Sequence, residues 1–374
     1  MAFKKLGERV KGLLGSGPNL PNLIEKLKQE QLSLGGLSLN LQRTCRVPGG
    51  QVNALPAGLG AFPIYKASDF KTGCPKEWHD EGYFFPMYRQ EAMWISFGSG
   101  YFGRGYQQNP KALIVGAGNI NAITAKPFDP SSSKFLRQGG REIPDGFDIK
   151  LEKEQNYLAI PPQPWLDGWK GEDHQVYQFI AAEMGSGETV EGQITGEEKV
   201  GGIQFITYDP KPGKDLTHAT TPHEYVTGGA WPKSVIPCLF VGLASAPTGE
   251  TAGPTQRRMT GAISRRVTAP VAQSVTAMGL GKGGTIEQKI YPDPYGLDVW
   301  NEKPSGVDVI YMVSSDDFKQ VTGYKAPPTP ITYQTYQQYG LPWFELHDKK
   351  LHDTKGSDIF AKLKPVGEGK VIQK

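Results

Sequence analysis

With 374 residues, of which 47 are Gly and 30 are Pro, the chain is loop-rich, yet 10% of it is aromatic, which supplies units large enough for a folded core and excludes a disordered polymer. The 41 basic and 38 acidic side chains nearly cancel, so no strong field advertises nucleic acid or an acidic membrane, and copies of the chain repel one another only weakly. No run of about 18 apolar residues occurs, so no membrane-spanning helix is expected.

The N-terminal segment sets Phe3, Leu6, Val10 and Leu13 at helical spacing among Lys4, Lys5, Arg9 and Lys11, the pattern of a basic amphipathic helix. No apolar block follows those charges, so no secretory signal peptide is expected. Helices this short are marginal without a partner surface, and the segment reads as an assembly arm that packs on its own body or on a neighbouring copy. Weak contact with a membrane surface is its second use. A further helix is predicted from Asn22, a capping residue with Glu25 at the third position, and it turns Leu23, Ile24 and Leu27 inward. Gly35 and Gly36 end it, and Leu37, Leu39 and Leu41 then alternate with polar residues as in a strand. Residues 48–63 read as a loop or arm, and residues 1–80 together form an N-terminal helical and irregular arm.

A first β region is expected over residues 81–245. GYFFPMYRQEAMWISF and KALIVGAGNINAITA are rich in aromatic and β-branched residues. VYQFIAAEMGSGETVEGQITGEEKVGGIQFITYD reads as three strands parted by GSG and TGEEKVGG turns, and the apolar run Ser234 to Ala244 reads as a buried strand. Residues 246–270, rich in Thr, Gly and Arg, form a long loop or linker whose Arg257, Arg258, Arg265 and Arg266 suit ion pairing with an acidic surface. A second β region over 271–345 holds GGTIEQKIYPD and VDVIYMVS, then a last helix capped by Thr332 and stopped at Gly340. The tail, 346–374, is charged. The fold class is therefore mainly β: a β-sandwich-like core of many short antiparallel strands, in one sandwich or two, with amphipathic helices in the N-terminal arm and near the C-terminus.

No catalytic residue, metal site or cofactor is assigned. The GxGxxG matches at Gly98, Gly100, Gly103 and at Gly279, Gly281, Gly284 lack a following helix to face a phosphate and read as β-turns. The pairs His218 with His223 and His347 with His352 are five apart, a rotation of about 140° on a helix, where metal ligation favours four. HDKKLHD, with Asp348 and Asp353, reads as an exposed turn and is the best remaining place to look for metal chemistry. Cys74 and His79 match no protease signature, and the adjacent acids Asp316 and Asp317 or Glu197 and Glu198 belong to turns. Three cysteines, Cys45, Cys74 and Cys238, leave at least one without an internal partner. In an oxidising compartment that thiol can join chains; in a reducing one all three are small apolar residues.

Four strings are neither generic nor explained by turns: FFPMYRQEAMWISF, PPQPWLDGW, YPDPYGLDVW and YGLPWFEL. Together they are similar to a family of bacterial proteins of similar length and, through it, the chain resembles the octins, fungal proteins that form octahedral crystals in vacuoles. The likeness runs from about Tyr83 to Phe344 and rests on packing motifs. It implies a structural protein that self-assembles into a disulfide-linked crystal in the vacuole, where the crystal sediments and serves gravity sensing. The chain's partner is then itself. Cys45 and Cys74, in the irregular N-terminal region, are the thiols expected to be accessible, and Cys238, in an apolar run, the one expected to be buried. Without a signal peptide, delivery to a vacuole needs another route. Two other readings stand beside this one. In the first, a β-sandwich carbohydrate-binding module stacks Trp165, Trp169, Trp300 and Trp343 on sugar rings; in the second, a hydrolase uses HDKKLHD or Cys74 with His79.

Overall fold

The computed structural model describes residues 24–97, 110–127, 155–216, 275–344 and 353–367, apart from positions 26, 215, 303, 329, 330 and 342. The assembly arm with Phe3, Leu6, Val10 and Leu13, the run around Cys238 and the arginine-rich loop lie outside these residues. Eighteen strands form among the described residues. In chain order they are β1 (Leu32–Leu34), β2 (Leu37–Thr44), β3 (Val52–Asn53), β4 (Leu55–Pro56), β5 (Gly58–Ala61), β6 (Tyr65–Lys66), β7 (Tyr83–Met87), β8 (Ala92–Phe97) and β9 (Lys111–Ala117). They continue as β10 (Ile120–Asn121), β11 (Leu158–Ile160), β12 (Trp165–Leu166), β13 (Gly168–Lys170), β14 (Gln175–Glu183), β15 (Ile203–Tyr208), β16 (Ala277–Glu287), β17 (Gly306–Ser314) and β18 (Trp343–Phe344). The chain is mainly β, and its strands make a large, mostly antiparallel sheet that does not close into a barrel.

Sixteen strands join that sheet, whose main path is β1-β2-β8-β14-β16-β17-β15-β9-β10. Strand β2 shows why: Leu37, Leu39 and Leu41 are buried while Ser38 and Asn40 between them are not, the alternation that the leucine spacing predicts. Strands β16 and β17 pair only through Ala277 with Val313 and Met278 with Met312. One cluster draws Leu39 and Leu41, Met93 and Ile95, and Phe179 from strands before this junction in the path, and Ile203, Phe205, Leu113, Val115 and Ile310 from β17 and the strands after it. Each fully buried side chain of this size contributes roughly 1.5–3 kcal/mol. Ile24 and Leu27, expected to face inward, pack on a second cluster built from Tyr65, Phe70, Phe84, Tyr311 and Phe318.

Three expectations are corrected. The segment VEGQIT, read as a strand, is the helix Val190–Thr195; Thr189 Oγ1 accepts from Gly192 N at 2.9 Å, and Gly196 ends the helix at φ 81°. These are local capping signals, and they outweigh the β-branched content of Val190 and Ile194. Residues 48–63, read as patternless, hold β3, β4 and β5, because β16 and β2 offer pairing edges that supply the order the segment lacks by itself. Gly279, Gly281 and Gly284 lie within β16, not in a turn. A Cβ at Gly281 would stand 2.2 Å from Val366 Cγ2 and 2.5 Å from Glu188 O, so close packing explains that glycine.

The tail adds a feature that its charge concealed. Residues 353–367 run as a strap across the sheet from β13 to β16: Ser357 N donates to Lys170 O and Val366 N to Lys282 O. Phe360, 0% exposed, packs 5.2 Å from Trp169, and Val366 is also fully buried. The helix Tyr333–Gln338 begins where Thr332 Oγ1 accepts from Thr335 N at 3.1 Å.

Candidate functional site

The thiols differ from expectation. Cys45 is 0% exposed, because its carbonyl accepts from Gln178 Nε2 at 2.9 Å while Gln178 Oε1 accepts from Val47 N at 3.0 Å, which seals the segment onto β14. Burial pushes its thiol up to about 11. Cys74 is half-buried, and burial, then the Asp80 carboxylate, push it up to about 12. Both are free thiols, and both are shifted away from the thiolate that a nucleophile or a disulfide-forming group needs.

The other candidate chemistry resolves into packing. His79 N donates to Tyr311 Oη at 3.0 Å, at a corner where Trp78 stacks on Tyr311 with centroids 4.7 Å apart. Asp317 accepts from Thr276 N at 2.7 Å, and Glu198 from Gly187 N and Thr189 N, so these acids fasten turns. His218, His223, His347, His352 and Asp348 lie outside the described residues, as does the first GxGxxG match. Among the described residues no group of three His, Cys, Asp or Glu side chains could hold a metal ion.

Of the four tryptophans considered for stacking, two are core. Trp169 is 0% exposed and donates to Gly281 O at 3.1 Å; Trp300 is 2% exposed and donates to Asp293 Oδ2 at 2.7 Å. Trp165 and Trp343 are partly buried, and both pack on the small cluster of Val47, Leu55 and Ile286. Trp94, opposite Gln42 in the β2–β8 register, reaches Trp165 edge-on at 6.5 Å. Trp343 meets Tyr336 at 4.9 Å and Tyr333 at 5.8 Å, and Tyr336 Oη accepts from Ala57 N at 2.7 Å. Val52, 54% exposed, lies close to Leu55 in the chain, and Tyr339, 76% exposed, close to Trp343. Aromatic bodies with polar tips at a surface suit contact with another macromolecule or with the apolar face of a sugar.

Buried charge is the signal that sequence reading missed. Asp167, beneath Trp165, accepts its indole N–H at 2.6 Å, and burial pushes the carboxyl up to about 7. Lys170, 0% exposed, donates to Asp353 Oδ2 at 2.7 Å, and His174 Nδ1 lies 2.7 Å from the same oxygen. Lys282 Nζ donates to the strap carbonyls of Ala361 and Leu363 at 2.8 and 3.0 Å and sits 4.4 Å from the Tyr177 ring centre. Glu91, also buried, accepts from Arg43 Nε at 2.7 Å and from Tyr88 N at 2.9 Å. Of these groups Asp167 and Glu91 belong to the distinctive strings PPQPWLDGW and FFPMYRQEAMWISF, where an acid inside an apolar run is the hint the sequence offers of a hydrogen-bonded node; Lys170, His174, Asp353, Lys282 and Arg43 lie outside them. No protein-family model, no curated protein and no solved structure matches the chain.

Proposed function

We propose that the chain is a structural protein that assembles with copies of itself. The observation that carries this reading is the partly buried aromatic pair Trp165 and Trp343 on one small cluster, together with the exposed side chains Val52 at 54% and Tyr339 at 76%. Apolar surface of this kind gains most when covered by a partner, and the nearly balanced charge opposes like copies only weakly. Contacts that do not close on themselves propagate into extended arrays. The large, mostly antiparallel sheet, with one cluster drawing side chains from strands along its whole path, gives such an array a folded unit, and the reading takes that unit to be sandwich-like. Following the resemblance to the octins, the assembled state is a disulfide-linked crystal in the vacuole that sediments and serves gravity sensing. Cys45, Cys74 and Cys238 stay the candidates for that link: the half-buried Cys74 must first lose the proton that its burial holds on the thiol, and Cys45 joins only if its segment lifts from Gln178.

Concentrated pure protein is expected to form ordered particles, visible by electron microscopy, that dissolve with dithiothreitol. Soluble monomer with all three thiols free under the same conditions overturns the proposal. Tyr339→Asp puts a charge on a side chain 76% exposed, so the melting temperature is expected to hold while particle formation falls at least tenfold. Unchanged particles from this variant would remove Tyr339 from the contact.

A second reading, a carbohydrate-binding module, is favoured by Trp94 and Trp165 lying beside Asn40, Gln42 and Ser96 on one sheet face. Saturable binding on a glycan array that Trp165→Ala abolishes is its test.

A further inference from the structure

Strand β13 ends at Lys170, whose backbone is held on both sides. Its N–H donates to Ala122 O at 2.7 Å and its carbonyl accepts from Ser357 N at 3.0 Å. The following turn places Asp173 and His174 at φ 50° and 61°, the geometry of a type I′ hairpin turn. This brings three groups onto one carboxylate from two parts of the chain, the β13–β14 hairpin and residue 290. Lys170 Nζ donates to Asp353 Oδ2, His174 Nδ1 touches the same oxygen, and the backbone N–H of Ile290 donates to Oδ1 at 2.8 Å. Lys170 is fully buried and the Asp353 side chain is 6% exposed, while His174 reaches solvent at 47%.

We propose that Lys170 and Asp353 join in an intramolecular amide crosslink that fastens the strap to the sheet. The Lys170 nitrogen attacks Asp353 Cγ and the new N–C bond forms as the bond from Cγ to Oδ2 breaks. Oδ2 leaves as water with the two protons the ammonium gives up, and nothing is oxidised or reduced. Each neighbour has a part in this step. The Ile290 N–H faces Oδ1, where negative charge develops in the tetrahedral intermediate. His174 touches the leaving oxygen and can pass it a proton taken from the amine. Burial draws the Lys170 amine below its ordinary range and so favours the uncharged nucleophile, against the opposing pull of Asp353 and Asp173. Holding amine and carboxyl in contact on a rigid strand removes the entropic barrier that keeps the same pair inert in solution.

Intact mass spectrometry of the full chain, denatured and reduced, tests this directly. The wild type is expected to be lighter than its sequence by the mass of one water, and Lys170→Ala and Asp353→Ala are each expected at full sequence mass. Tandem spectra should show one branched peptide joining residues 170 and 353. His174→Gln is expected to reach the same product at least tenfold more slowly in a time course after refolding. Wild-type protein at full sequence mass overturns the proposal, whether or not the variants fold. So does a water loss confined to the Asp353 peptide with the Lys170 peptide unmodified, the signature of a cyclic imide.

Discussion

Phe360→Ala is expected to destabilise the protein by about 3–5 kcal/mol, a large share of what a domain possesses. Phe360 lies in a segment whose composition reads as a charged tail, yet its ring is fully buried against Trp169. Trp169 in turn sits 5.1 Å from Phe179 in β14, so the lost ring would leave a cavity between the strap and the sheet. The loss also reaches the charges below. The strap supplies the carbonyls of Ala361 and Leu363 to Lys282, and a buried cation stripped of its acceptors is costly. Lys362→Ala on the same segment is the contrasting case. Its ion pair with Asp358 is exposed, and solvent screens such pairs, so stability is expected to stay nearly unchanged. Urea unfolding should therefore separate the two variants by several kcal/mol, and a Phe360→Ala chain as stable as Lys362→Ala would mean that the strap does not close the fold.

The second large effect concerns Asp167. Its carboxyl, ordinarily at 3.8, is pushed up to about 7 by desolvation, which the Trp165 N–H only partly opposes. Between those values the folded chain keeps a proton that the unfolded chain has released. Stability from this group is therefore complete below the ordinary value and is lost as pH rises through about 7. The full span is about 4 kcal/mol at one pKa unit per 1.36 kcal/mol. Asp167→Asn stays neutral and keeps an oxygen for the indole N–H. It is expected to match the wild type near pH 4, to exceed it by a few kcal/mol at pH 8, and to flatten the slope between. Wild-type stability independent of pH across that window would show that Asp167 is ionised in the fold.

The β character was legible where side chains themselves report burial. The leucine alternation of β2 and the compact apolar runs of β9, β15 and β17 carry their own period, and Thr332 announces a helix through its cap. What was not legible is whatever depends on a partner far along the chain. Cys45 is buried by Gln178, Lys170 is paired by Asp353, and β3 and β5 exist because β16 and β2 lie beside them. No local window contains both members of those pairs. The Thr189 to Gly196 segment failed for the opposite reason. Its cap and terminal glycine were present in the sequence, but the β-branched residues between them were given more weight. At the surface, the sequence marked Trp165, Trp169, Trp300 and Trp343 as equals, and only the fold separates two core rings from two at the surface.

The parallel pairing of β7 with β17 and of β3 with β16 has a consequence for the ribosome. Each joins a strand from the first hundred residues to one from the last hundred, so the early strand leaves the exit tunnel long before its neighbour exists. At synthesis rates of about 5–20 residues per second, the wait from Met87 to Gly306 is on the order of 10–40 s. Throughout it Phe84, Phe85 and Met87, all fully buried at the end, remain without their final cover. Folding must then be largely post-translational, and a cell that makes much of this protein must shelter nascent chains from one another until the last strands arrive.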